Sequence, residues 1–241
     1  MIIATGSKNR VDGMTALKVF KDPVIAVEPQ DFKEYREKHP DKNIIRIADN
    51  DKGFGYMLNA LVDYTLNVGQ KYLLFFDDDI QNVTRKDKKP FICEDFIKEG
   101  EKLMKEKGLA QLGVSFSGHN WYEEADLTER NACWGLVFLD AEVIKRIGGY
   151  DEKLVLFNDY EITARLLLKQ KRVMSWYKYM FHHKMRGAKG GANTFYDQED
   201  LVKKQILYLK GRYGDYVRVI WHSKHKMWEI RFNWRLFKTY K

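Results

Sequence analysis

The run Tyr72-Leu-Leu-Phe-Phe-Asp77-Asp78-Asp79-Ile80 constrains this chain more than any other segment. The apolar stretch reads as a short buried strand, and three carboxylates arrive where that strand ends. Packing alone does not want them there, because ionised aspartates repel one another and an unpaired buried carboxylate is costly. Such a cluster is stable when fully solvated or when a divalent cation neutralises it. Side chains alternate along extended backbone, so Asp77 and Asp79 are expected on one side and Asp78 on the other. Oxygen ligands of this kind suit a hard cation, Mg2+ or Mn2+, shared with substrate phosphates.

The first half of the chain alternates short strands with helices. Strands are expected at Ile2–Thr5, Val24–Val27, Ile44–Ile47 and Tyr72–Phe76, with helical segments near Met14–Phe20, Phe32–Lys38 and Gly55–Asn67 between them. The last helix carries Leu58, Leu61, Val62, Thr65 and Leu66 on one stripe. This pattern predicts an α/β fold with a mostly parallel central sheet covered by helices on both faces. Ligands of such sheets bind outside the carboxyl ends of the strands, where the aspartates sit. Further along, the pattern predicts a helix at Glu94–Lys107, strands at Gln111–Phe116 and Ala132–Leu139, and a short helix at Ala141–Ile147. A helix from Asn158 to about Gln170, an aromatic strand Val173–Phe181 and a helix through Lys210 follow. A boundary near 194–200 divides residues 1–195 from an extension, 196–241, expected to be helical, basic and aromatic.

Charge is distributed unevenly. The net charge is +8, yet residues 201–241 alone hold eleven Lys or Arg against two acidic residues, leaving the rest of the chain at −1. The same segment holds nine aromatics, among them Trp221, Trp228 and Trp234. A near-neutral body with a basic, aromatic tail suggests a polyanionic partner. A partly buried amphipathic segment, whose Lys and Arg stems cover apolar surface, would look the same. No run of about 18 apolar residues exists, so no transmembrane helix is expected. The opening Met-Ile-Ile-Ala-Thr-Gly is too short and too uncharged for a signal peptide. Cys93 and Cys133 offer neither a disulfide framework nor zinc-ligand spacing, and the chain reads as cytosolic.

Three later motifs join the aspartates in order: Trp134-Gly135-Leu-Val-Phe, then Gly148-Gly149-Tyr150-Asp151-Glu152, then Asn158-Asp159-Tyr160-Glu161 leading to Arg165. Over about residues 1–185 this order resembles the nucleotide-sugar glycosyltransferases of the GT-A (Rossmann-like) fold, with Asp77-Asp78-Asp79 in the place of their Asp-x-Asp motif. The chain departs from their common Glu-Asp pair by having Asn158 before Asp159. A narrower similarity, on Val24-Ile-Ala-Val-Glu-Pro-Gln-Asp-Phe-Lys-Glu-Tyr35 together with Phe-Phe-Asp-Asp-Asp-Ile, is to the bacteriophage TET-associated glycosyltransferases.

The resemblance implies a set of roles. Asp77 and Asp79 anchor the metal, Mn2+ or Mg2+, with His182 or His183 adding an imidazole, while Asp77 and Asp78 also touch the nucleotide sugar, UDP-glucose being the expected donor. Asp159 takes the acceptor's proton in an inverting transfer, with Glu161 in reserve, though that residue can simply face the nucleotide or Arg165. Thr5, Ser7, Arg10, Glu28, Asp49, Gly55 and Asn59 fall at strand ends and a helix start where the family binds its nucleotide. Lys184, Arg186 and Lys189, on a segment with Gly187, Gly190 and Gly191, are expected to close over the diphosphate. The implied acceptor is DNA carrying hydroxymethylated pyrimidines, in the cytoplasm of an infected bacterial host. A glycan, lipid or protein acceptor is the alternative, and a noncatalytic nucleic-acid-binding protein is a third reading.

Overall fold

In the computed structural model the described residues are 1–116, 125–129, 133–183, 195, 198–223 and 227–237. The first half follows the expected order: β1 (Ile2–Ser7), β2 (Val24–Val27), α1 (Phe32–Lys38), β3 (Asn43–Arg46), α2 (Phe54–Asn67) and β4 (Tyr72–Asp77). Then come β5 (Ile80–Arg85), α3 (Cys93–Lys107), β6 (Leu109–Phe116), β7 (Leu127–Glu129), β8 (Leu136–Asp140) and α4 (Ala141–Arg146). The chain continues through α5 (Asn158–Leu168), β9 (Arg172–His183), α6 (Glu199–Tyr213), β10 (Val217–His222) and β11 (Met227–Phe232).

The central sheet has the order β3-β2-β1-β4-β8-β6-β9-β5, with β7 also on β9. β1 to β4, β6 and β9 run one way, whereas β8, β5 and β7 oppose their neighbours. The expected α/β fold with a mostly parallel sheet is therefore present, and the reversal at β8 brings a loop into the edge that β4 leaves.

Alternation along β4 explains its unbroken apolar run. Leu73 and Phe75 join one core with Leu58, Leu61 and Val62 of α2, and Leu74 and Phe76 join a second with Phe96 and Met104 of α3. Both faces of the strand are covered, so every position is apolar until the sheet edge. Each such side chain contributes roughly 1.5–3 kcal/mol on burial.

Three local expectations change. The segment near Met14–Phe20 forms only a 3-10 turn, Thr15–Lys18. β8 begins at Leu136 because Gly135 adopts φ +68° and breaks the extended run. The C-terminal segment is not only helical: after α6 it forms an antiparallel hairpin, with Trp221 opposite Trp228 and Val219 opposite Ile230. Val202, Ile206, Leu209, Tyr213, Val217, Ile230, Phe232 and Phe237 belong to the same core as α2 and α5.

Candidate active site

The site grows from the parallel pairing of β1 and β4, in which Gly6 stands opposite Asp77. β4 ends at Asp77, and Asp78-Asp79 make the turn into β5. The alternation expected for a strand therefore stops at Asp77, and one cation reaches both turn carboxylates. Arg10 Nη1 donates to Asp78 Oδ1 at 2.8 Å and to Asp79 Oδ2 at 3.2 Å. Ser7 Oγ donates to Asp78 Oδ2 at 2.5 Å and shares a 2.8 Å hydrogen bond with Tyr35 Oη. The Arg10 backbone N–H donates to the same Tyr35 oxygen at 3.0 Å. Asp78, 5% exposed, is thus held in place by β1 and its loop.

Asp77 is balanced differently. Its backbone N–H donates to the Gly135 carbonyl at 2.7 Å. Burial pushes its carboxyl well above the ordinary range, and the charges of Asp79, Asp78 and Asp159 push it further, with Arg10 opposing. Asp78 is also raised by burial, although Ser7 and Arg10 pull it back. The end of β4 and the turn after it therefore crowd three carboxyl groups beside the Arg10 guanidinium, which opposes the rise. Gly135 permits this approach: a Cβ there would lie 2.6 Å from Phe181 Cζ and 3.3 Å from Asp77 Oδ2.

The two histidines part company because β9 is extended there. His182 Nε2 lies 3.1 Å from Thr84 Oγ1, and burial lowers its pKa. His183 instead joins the aromatic group on the Gly135 side, its ring 4.9 Å from Phe116, 5.5 Å from Trp134 and 6.1 Å from Phe181. Among the described residues no three His, Cys, Asp or Glu side chains converge as a ready-made metal cage.

α5 begins after Phe157, which adopts φ +63°. Asn158 is the first helical residue, and its Nδ2 reaches back to the Leu154 carbonyl at 2.8 Å. Asp159 follows in the first turn, where backbone N–H groups and the helix dipole favour a negative charge. Burial nevertheless dominates and raises its pKa to about 6, with the backbone N–H groups of Tyr160 and Asp159 itself pulling the other way. Glu161 is fully buried and faces Arg165, whose Nη2 donates to its Oε2 at 2.8 Å.

The remaining candidates divide into two groups. Ser7 and Arg10 are at the aspartates, as above, and Thr5 is fully buried within β1. Glu28 and Asp49 lie at the ends of β2 and β3: Glu28 pairs with Lys8 at 3.0 Å, and Asp49 accepts from Tyr56 Oη at 3.0 Å. Gly55 and Asn59 face the 148–158 segment. Asn59 Oδ1 accepts from the Tyr150 N–H at 2.7 Å, and its Nδ2 donates to the Tyr150 carbonyl at 3.0 Å and to Glu152 at 2.8 Å. Gly149, at φ +70°, is needed for that clamp, since a Cβ there would lie 2.5 Å from Asn59 Oδ1. Lys184, Arg186 and Lys189, with Gly187, Gly190 and Gly191, lie outside the described residues.

Sequence reasoning missed two participants. Tyr35 supplies the hydroxyl that joins Ser7 to the Arg10 backbone, and its only sequence signal is a place on the apolar face of α1. Lys8 pairs with both Glu28 and Asp51, and could have been found as a cation following Ser7 at the end of β1.

Solved structures share this fold. The S. aureus TarS 1–349 structure in complex with UDP superposes with a TM-score of 0.50 at 14% identity, over 86% of this chain and 66% of that one. The mannosyltransferase PcManGT from Pyrobaculum calidifontis, in complex with GDP-Man and Mn2+, gives 0.57 at 13% identity, over 89% of this chain and 64% of that one. The chain thus spans just under two thirds of these longer chains, and at such identities the likeness establishes the GT-A fold alone. No curated protein matches. The TET-Associated Glycosyltransferase profile matches residues 1–191, and the chain belongs to that family.

Proposed function

We propose that the protein transfers a sugar from a nucleotide-sugar donor, UDP-glucose, to hydroxymethylated pyrimidines in DNA. The observation that carries this reading is a single one: Asp77 ends β4 at the sheet edge, and Asp78 and Asp79 follow it in the turn, held by Arg10 at 2.8 and 3.2 Å. In this reading the Asp77–Asp79 edge holds the donor's diphosphate, and Asp159, in the first turn of α5, takes the proton of the acceptor hydroxyl. The UDP complex of TarS and the GDP-Man and Mn2+ complex of PcManGT support the choice of donor class.

The donor set fits a divalent cation. Asp77 and Asp79 offer hard oxygen ligands, and the burial of Asp77 beside further carboxylates, which raises its pKa, is a cost that such an ion would relieve. His183, turned toward Phe181 and Trp134 beside Gly135, is the better placed imidazole, because His182 is engaged with Thr84. Bound there, Mn2+ or Mg2+ would stabilise the charge developing on the departing nucleoside diphosphate. Arg10 holds the turn carboxylates, Ser7 and Tyr35 fix Asp78, and Asp159 accepts the acceptor's proton. A pKa of about 6 leaves Asp159 ionised at neutral pH yet basic enough for that task.

For the acceptor, the C-terminal hairpin offers charge. Arg218 and Arg231 stand directly opposite each other on its outer face, and both are exposed. Among the described residues no helix is long and apolar enough to cross a membrane. The test incubates the protein with Mn2+, UDP-glucose and DNA containing 5-hydroxymethylcytosine, followed by digestion to nucleosides and mass spectrometry. A hexosylated nucleoside is expected. Transfer to a glycan or lipid acceptor, with none to DNA, would replace the DNA reading while keeping the donor site.

A further inference from the structure

Side chains of α6 reach into the segment that carries Asp159. Glu161 Oε1 accepts from Tyr213 Oη at 2.8 Å and lies 3.3 Å from Arg212 Nη1. The same Arg212 nitrogen pairs with Asp151 Oδ2 at 2.6 Å, and Tyr208 Oη donates to that oxygen at 2.7 Å. Gln205 Oε1 accepts from the backbone N–H of Leu156 at 2.9 Å. Four side chains of one helix therefore hold residues 151–161, on both sides of Asp159. All four lie beyond residue 191, where the family match ends.

The chemistry of Glu161 is expensive for a purely structural contact. Taking a carboxylate and its partners out of water costs several kcal/mol per ion, and a well-packed apolar group would often serve stability as well or better. A buried, multiply bonded carboxylate does provide direction: it fixes the rotation of α5 and the place of its first turn. Asp159 sits two residues earlier in that turn.

We infer that Arg212 and Tyr213 are positioning residues for the transfer, acting through Glu161 to hold Asp159 toward the carboxylate edge. The extension is then part of the active site as well as a surface for the acceptor. This rests on the reading of Asp159 as the base. Among the described residues, Asp77 from β4, Cys133 before β8 and Tyr150 from the turn after α4 feel the charge of Asp159. Asp151, Glu161 and Arg165, with Arg212 and Tyr213 of α6, form a charged set on the segment that carries Asp159. Removing Arg212 takes a positive charge from this set, so Asp159 should bind its proton more tightly.

The test compares wild type with Arg212→Ala, Arg212→Lys, Tyr213→Phe and Asp159→Asn. It measures kcat, donor KM, the pH profile of kcat and the thermal midpoint. Arg212→Ala should lower kcat by up to about 10²-fold, the scale on which remote misplacement acts. It should leave donor KM near wild type and move the acid limb of the profile to higher pH. Arg212→Lys should recover most of both effects. Tyr213→Phe keeps the ring, 5.6 Å from Phe232, and should lower kcat while the fold stays intact. An unchanged pH profile, with kcat lost only in proportion to unfolded protein, would overturn the inference. If Asp159→Asn loses turnover but the Arg212 and Tyr213 variants do not, the inference alone fails. Normal turnover of Asp159→Asn overturns the base assignment and the inference with it.

Discussion

Asp159 combines opposing demands in one side chain. Its pKa is raised by burial, so the folded state binds its proton more tightly than the unfolded chain does. The associated stability is fully present below the unfolded pKa and is lost as pH rises through about 6. At neutral pH the charge is therefore carried at a loss. Asp159→Asn should raise stability at pH 7 by roughly 1–3 kcal/mol, a gain that vanishes below pH ~4, as denaturant titrations at the two pH values can check. The same variant should lose roughly 10²–10⁴ in turnover. Transfer by the wild type should rise through pH 6 as Asp159 deprotonates. Asp79→Ala tests the cation side: transfer and its dependence on added Mn2+ should both disappear with the fold intact, and full activity in excess chelator would rule out the metal. Only part of this was legible from residues. The aspartates stood out because nothing in packing explains them, and Asp159 through a motif. Lys8 had a signal in its place at the end of β1, whereas the link from Tyr35 to Ser7 is a tertiary contact across 28 positions that no local spacing encodes.

The elements differ in how openly they announce themselves. β4 was readable because both its faces are buried, which leaves one uninterrupted apolar run. The hairpin of β10 and β11 also has a sequence signal, since Trp228, Ile230 and Phe232 alternate with Glu229 and Arg231. Its charge and aromatic content drew attention toward a partner and away from that period of two. The structure now separates the tryptophans. Trp234 lies 5.0 Å from Phe232 and 6.2 Å from Tyr160 in a stacked arrangement, whereas Trp221 is 43% exposed. Trp234→Ala should accordingly cost roughly 2–4 kcal/mol in thermal or urea unfolding, in the manner of a core truncation. Trp221→Ala removes only a ring contact of 5.0 Å with Trp228 across the hairpin and should cost no more than about 1 kcal/mol. Any loss of DNA affinity on changing Trp221 would then reflect contact with the acceptor. Arg218 and Arg235 are exposed, and their replacement by Ala should reduce the slope of log affinity against log salt by about 1–2, measured over a salt series.

Across the whole molecule, the extension and the sheet share one hydrophobic core. The division expected near residues 194–200 falls between two pieces that share a core, since Val202, Ile206 and Leu209 pack in the cluster that holds Leu58 and Ile162. The network of Arg212, Tyr213 and Glu161 adds polar ties across the same boundary. The full chain should therefore unfold in one transition, with intrinsic fluorescence and far-ultraviolet circular dichroism coincident in urea. Two separated transitions would instead mark the extension as an independent unit. Sequence could show that the tail was unusual, but not where it folds back, because its contacts join residues some fifty positions apart.

The reversal of β8 against β4 has a consequence for how such a chain can change over time. Asp77 lies on a seam: the strands on one side of β4 are built wholly from residues 1–46, and those on the other wholly from residues after 79. Insertions, deletions or exchange of the later block need not disturb the pairing of β1 with β2 and β4, or of β2 with β3. A lineage with this strand order can thus remodel one half of its sheet edge by recombination while inheriting the other half unaltered.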